Sequence, residues 1–147
     1  MKIMVFAAVM VCACSLGFSK GNIFVQGKEK LPLKAQIFID DKLAKERIVY
    51  VKESRTLFLR KEYLAVFATG LKIEFDNNGN WVDMESAKIG LPQNIIPEKI
   101  WQYVKGFNYS VNIVEIEKIR HSSMRVLLSN KRELFFDKYY NRMEIDM

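Results

Sequence analysis

The chain has 147 residues, half of them hydrophobic, and is long enough for one modest domain with its own core. Its net charge of +6 comes from bases interleaved with acids, as in Lys28-Glu29-Lys30, Lys45-Glu46-Arg47 and Lys131-Arg132-Glu133, and not from the concentrated stripe that nucleic-acid binding requires. The only histidine is His121 and the only cysteines are Cys12 and Cys14, which excludes a histidine metal cluster and a disulfide framework in the body of the chain.

The first segment has the layout of an export signal. Lys2 supplies a positive start, Ile3 to Ala13 form an apolar run, and Gly17 and Ser19 place small side chains at minus three and minus one of a cut after Ser19. That run is shorter than the roughly 20 residues needed to span a bilayer, and nothing later is apolar enough to do so. Residues 1–19 are therefore expected to be a signal peptide, residues 20–30 an N-terminal segment, and the mature chain to carry no transmembrane span. An alternative cut remains open: Val11-Cys12-Ala13-Cys14 faintly resembles a lipobox, which would anchor the protein by a lipid on Cys14.

Beyond residue 30 the chain reads as one unit written twice, at 31–89 and 90–147. A shift of 65 carries Pro32 onto Pro97, Lys34 onto Lys99, Phe38 onto Tyr103 and Val51 onto Ile116; past a hairpin the shift becomes 61, carrying Ala65 onto Val126, Ile73 onto Leu134 and Phe75-Asp76 onto Phe136-Asp137. A loop four residues shorter in the second copy accounts for the change.

Each copy begins with a helix. Ile100, Tyr103, Val104 and Phe107 recur at helical spacing, as do Ala35, Phe38, Ile39 and, less neatly, Leu43. Pro32 and Pro97 suit the first helical position, although no Ser, Thr, Asp or Asn precedes either one to cap the helix.

Strands follow, with period-two spacing at Val49/Val51, Tyr63/Ala65/Phe67, Leu71/Ile73/Phe75 and the equivalents Val114/Ile116, Met124/Val126/Leu128 and Leu134/Phe136. Thr69-Gly70, Ser129-Asn130 and Asp76-Asn77-Asn78-Gly79-Asn80 mark turns. A last short strand is expected at Trp81 to Met84 and again at Arg142 to Ile145, and Gly90-Leu91-Pro92-Gln93-Asn94 joins the copies. The expected fold is α+β: a tandem repeat of two α-β4 units forming an antiparallel sheet, with helices packed on one face.

Three segments also resemble a known family: Leu31-Pro-Leu-Lys-Ala-Gln-Ile-Phe-Ile39, Ile73-Glu-Phe-Asp-Asn-Asn-Gly-Asn-Trp81 and Ile95-Ile-Pro-Glu-Lys-Ile-Trp-Gln-Tyr-Val104 are similar to the PepSY-like, beta-lactamase-inhibitor-like family of exported bacterial proteins. The resemblance spans most of residues 30–147. It implies a curved sheet with an open face and, through related PepSY domains, the restraint of an envelope enzyme. Two departures stand out: Leu43-Ala44 and Phe107-Asn108 replace the Phe-Pro that ends the family's helices, and Asp137-Lys-Tyr-Tyr-Asn141 lacks the Asn-Gly turn.

No residue set points to catalysis. His121 falls beside Ser122 and Ser123 in a hairpin connection with no acid recognisable nearby, and Glu74/Glu133 or Asp76/Asp137 are spread apart by the repeat. The Asp76–Asn80 stretch has alternating oxygen donors, but position six of a calcium loop would be Trp81 and position twelve Ala87, so a turn is expected and no metal or cofactor is assigned.

The candidate site is the sheet face turned away from the helices. Its expected residues are Tyr50, Leu64, Val66, Trp81, Leu127 and Phe135, with Lys72, Arg125 and Arg142 among the charges, an apolar-aromatic patch rimmed by charge. The C-terminal tail, loops or a self-dimer are the other ways such a face could be covered. The expected function is an exported, periplasmic or secreted, non-enzymatic module that binds a protein partner, with the basic residues steering an acidic one. The alternative is a small-ligand or envelope-stress sensor.

Overall fold

A computed structural model describes residues 23–25, 27–55, 60–107, 110–119 and 123–144. The export signal with Cys12 and Cys14, and His121, lie outside the described residues.

Helix α1 (Leu33–Lys42) precedes strands β2 (Ile48–Arg55), β3 (Lys61–Phe67), β4 (Lys72–Phe75) and β5 (Trp81–Glu85), and helix α2 (Glu98–Phe107) precedes β6 (Ile113–Lys118), β7 (Met124–Leu128), β8 (Glu133–Phe136) and β9 (Arg142–Met143). All strands join one sheet in chain order, each antiparallel to its neighbours. A ninth strand, β1 (Ile23–Val25), pairs with β2 in the segment from which no strand was expected. The fold is thus α+β, with β5–β6 pairing uniting the sheet through Met84↔Ile116.

The prolines sit one residue earlier than expected. Pro32 is the N-cap of α1, with φ −54° and ψ 146°, and its carbonyl accepts from the amides of Ala35 and Gln36. The extended ψ lets its carbonyl open the helix while its missing N–H leaves no donor unsatisfied. Neither proline-led start relies on the proline's own side chain, and Glu98 places a negative charge in the first turn of α2.

Both helices cover the same sheet face. Ala35, Ile39 and Leu43 meet Val51, Ala65, Phe67, Ile73 and Phe75, while Ile100 and Val104 meet Ile116, Val126, Leu134 and Phe136 in one continuous core. Phe38 stands edge-on to Phe75 at 6.1 Å, and Tyr103 edge-on to Phe136 at 5.6 Å.

Bulges change the expected register at matching places. Ile48 and Tyr50 pair with consecutive residues of β3, leaving Val49 unmatched, and Ile113 and Glu115 do the same opposite β7, leaving Val114 unmatched. Ile48 and Ile113, not Val49 and Val114, therefore join Val51 and Ile116 on the core side. Another bulge at Glu74/Phe75 leaves Val82 unmatched and sets Trp81 opposite Phe75.

The β4–β5 turn closes on the start of α1. Gly79 has φ +80°, and a Cβ there would lie 2.8 Å from the Ala35 amide. The β8–β9 turn has the same hydrogen bonds, Asp137 N to Asn141 O and Tyr140 N to Asp137 O, matching Asp76 N to Asn80 O and Gly79 N to Asp76 O. Tyr140 adopts φ 66° in the place of Gly79, so the turn survives loss of the Asn-Gly pair.

Candidate functional site on the open sheet face

The side chains that alternate with the core project from the face opposite the helices in two rows crossing the strands. One row runs Lys52, Leu64, Glu74, Asp83, Glu117, Arg125, Phe135 and Met143; the other runs Tyr50, Val66, Lys72, Glu85, Glu115, Leu127 and Glu133. Glu62 and Ser54 lie beyond the first row, opposite each other on β3 and β2.

Seven of the nine expected site residues fall on this face: Tyr50, Leu64, Val66, Lys72, Arg125, Leu127 and Phe135. Trp81 and Arg142 do not. The β5 bulge turns Trp81 to the core side, where it packs against the buried cluster beneath the Lys118 ammonium, 3.7 Å from its ring centre. Arg142 pairs with Phe136, a core residue, and its Nη1 donates to the Phe135 carbonyl. A one-residue register change is enough to exchange faces.

The face is acidic at its centre. Among the described residues Glu62, Glu74, Asp83, Glu85, Glu115, Glu117 and Glu133 stand against Lys52, Lys72 and Arg125, seven acids to three bases in a chain that is basic as a whole. Sequence reasoning missed this band because the acids are scattered along six strands' worth of sequence and only the register brings them together. The expectation that Lys72, Arg125 and Arg142 steer an acidic partner is corrected accordingly. Lys72 pairs with Glu85 at 3.3 Å, and Arg142 is on the other side. Arg125 is clamped by Glu115 (2.5 Å), Glu117 (2.7 Å) and Glu133 (2.9 Å).

Like charges stand directly opposite one another in three cross-strand pairs: Glu74↔Asp83, Asp83↔Glu117 and Glu85↔Glu115. Burial, then repulsion from Glu115, Glu74, Glu117 and Glu85, pushes the Asp83 carboxyl up to about 7, and its Oδ1 has no hydrogen-bond partner. Burial and then Glu62, Glu117 and Glu85 push Glu74 up as well. Arg125, bonded to Glu117 and Glu133, is held firmly in its charged form. Half-buried apolar and aromatic residues flank the band, with Tyr50, Leu64 and Val66 towards β2 and Leu127 and Phe135 towards β8.

The Asp76–Asn80 loop behaves as a turn. Asp76 Oδ1 accepts from the amides of Asn78 and Asn80, and Oδ2 from Asn80 Nδ2. Its oxygens are thus engaged by the chain itself, which outweighs partial burial and holds the carboxyl below its usual range. Among the described residues no group of three or more His, Cys, Asp or Glu side chains is placed to hold a metal ion.

On the helix side a groove of about 1020 Å³ runs between α1, the start of α2 and the β8–β9 turn, lined by Phe38, Trp81 and Tyr139 with Lys42, Lys99 and Lys138. Among the described residues no helix is long and apolar enough to cross a membrane.

The sequence profile of the family described as "Putative beta-lactamase-inhibitor-like, PepSY-like" matches residues 61–143. Solved structures of the same fold include a "putative periplasmic protein of unknown function" from Bacteroides vulgatus, 25% identical with a TM-score of 0.74 over 86% of this chain and 100% of that one. A second protein of that organism, a "putative periplasmic protein" of the DUF2874 family, is 28% identical with a TM-score of 0.74 over 88% and 99% of the two chains. A "putative calcium-regulated periplasmic protein" from Bacteroides thetaiotaomicron is 32% identical, again at 0.74, over 86% and 97%. No curated protein matches the chain in sequence.

Proposed function

The chain belongs to the PepSY-like, beta-lactamase-inhibitor-like family, and from that premise we propose that it is an exported, non-enzymatic module that binds a protein partner on the bare face of its sheet and so restrains an envelope or secreted enzyme. The observation that carries this reading is one-sidedness: both helices pack on one face, while the other presents half-buried Tyr50, Leu64, Val66, Leu127 and Phe135 around a charged centre. Apolar and aromatic anchors inside a polar surround are the usual composition of a protein-binding patch.

Periplasmic residence fits both the leader-like first 19 residues and the periplasmic proteins that share the fold. Residues 31–89 and 90–147 are read as two copies of one helix-plus-four-strand unit, a reading supported by the matched bulges and matched turns.

A carboxyl titrating near 7 also suits a general acid. At Asp83 the shift is accounted for by burial and four neighbouring carboxylates, and so calls for no catalytic role. Affinity capture from envelope extract tests the binding reading. The wild type should retain a protein that a Leu64→Ser, Phe135→Ser variant loses; identical captures by the two would remove the face from the account.

The groove supports a second reading, a small-ligand sensor. Its three lysines and aromatic walls suit an anionic ligand, and that reading predicts thermal stabilisation by a compound in the absence of any protein partner.

A further inference from the structure

We propose that the partner presents a basic polypeptide segment to this face, with arginine or lysine side chains seated over β4, β5 and β6 and apolar residues resting on the flanks. The inference deepens the binding reading above and rests on it.

The case starts from register. Acids opposed across adjacent strands destabilise a sheet, and here three such pairs meet at the strands that join the two halves: Glu74↔Asp83, Asp83↔Glu117 and Glu85↔Glu115. On the two flanks the first row carries apolar residues and bases instead, Leu64 and Lys52 on one side and Arg125 and Phe135 on the other. Residues that break a local rule of sheet pairing at one surface are expected where function, not stability, sets the choice.

Arg125 displays the chemistry on offer. One guanidinium seated on this face reaches Glu115, Glu117 and Glu133 together, with its contacts between 2.5 and 3.0 Å. Towards β4 the carboxylates lack that service: among the described residues Asp83 Oδ1 is buried without a partner, and Glu74 is repelled by Glu62, Glu117 and Glu85, an effect Lys52 opposes. A planar, bidentate cation supplied from outside would meet them as Arg125 meets its own three. An isologous dimer through this face would instead set carboxylate against carboxylate, so a second copy is the wrong occupant.

The probe is a labelled peptide of alternating arginine and leucine, compared by fluorescence anisotropy with the same peptide carrying glutamate for arginine. Binding is measured at low salt and about pH 8, where Asp83 is ionised. The full mature chain should bind the basic peptide and not the acidic one, with affinity falling as salt is added. A Glu62→Gln, Glu74→Gln, Asp83→Asn variant should bind roughly tenfold or more weakly, and because it relieves repulsion it should fold at least as well as wild type. Arg125→Gln, which adds to the negative charge of the face, should tighten binding. Equal binding of both peptides, an unaffected triple variant, or calcium chloride alone saturating the face while the peptide stays unbound would each overturn the proposal.

The two readings fail separately. If the triple variant still captures the partner that Leu64→Ser, Phe135→Ser loses, the face binds but its partner is not basic; if neither variant loses it, the binding reading falls.

Discussion

Glu74 and Asp83 stand directly opposite one another on β4 and β5, two carboxylates in a position where a sheet ordinarily places apolar or oppositely charged pairs. Asp83 feels the consequence most, titrating near 7 instead of 3.8 through burial and its acidic neighbours. An acid that ionises less readily in the folded chain holds its proton more tightly there than in the unfolded chain. Its contribution therefore favours the fold at low pH, declines as pH rises from about 4 to about 7, and is level above that. The decline should be about 1–2 kcal/mol once solvent screening of a half-exposed group is allowed for. Urea titrations at pH 5 and pH 8 should show it in wild type and show it much reduced in Asp83→Asn; an equal pH dependence in both would reassign its source.

Trp81 should matter for stability and not for partner capture. It packs against the core with Lys118 above its ring and the Lys118 Nζ bonded to its carbonyl. Truncation to alanine should cost about 2–3 kcal/mol, less than for a fully buried tryptophan because Trp81 is only partly buried. The same variant, tested near neutral pH well below its melting temperature, should retain the partner. Loss of capture without loss of stability would return Trp81 to the binding face.

Two positive-φ turn positions, Gly79 and Lys131, should respond in opposite ways to substitution. Gly79→Ala should destabilise by more than about 1 kcal/mol, because positive φ and the Ala35 amide 2.8 Å from the new Cβ act together. Lys131, exposed at φ 67°, is the residue that stands where Gly70 stands in the first half, and Lys131→Gly should stabilise by about 1 kcal/mol. Thermal melts of the single variants decide both signs.

Asp76 should prove a structural residue. Asp76→Ala removes the acceptor of the Asn78 and Asn80 amides and should lower stability by about 1–2 kcal/mol. Calcium titration calorimetry of wild type and variant should give the same trace; a calcium signal lost with Asp76 would mark the loop as a site.

Much of this fold is legible in the sequence alone. The apolar spacing at Ala35/Ile39, Ile100/Val104, Tyr63/Ala65/Phe67 and Leu134/Phe136 announces the helices, the strands and the residues that fill the core, because burial selects side chains one at a time at a fixed period. The turns are announced too, by Thr69-Gly70 and Asp76–Asn80, since few residues tolerate their backbone geometry. Where the periodicity was read through a bulge it misled: Val49 and Val114 lost their core places to Ile48 and Ile113, and Trp81 lost its place on the open face.

By itself, then, the order of amino acids determined the class of fold and most of its interior, since hydrophobic burial and turn chemistry are local properties of a chain. Only the tertiary structure decided the character of the exposed face. Glu74, Asp83, Glu85, Glu115 and Glu117 are separated by as many as 43 positions in a chain of net positive charge, and they become one acidic band only through hydrogen-bonded register across β4, β5 and β6. Charge acts through space at distances of a few ångströms, and the pairing of strands, not the spacing of residues, sets those distances.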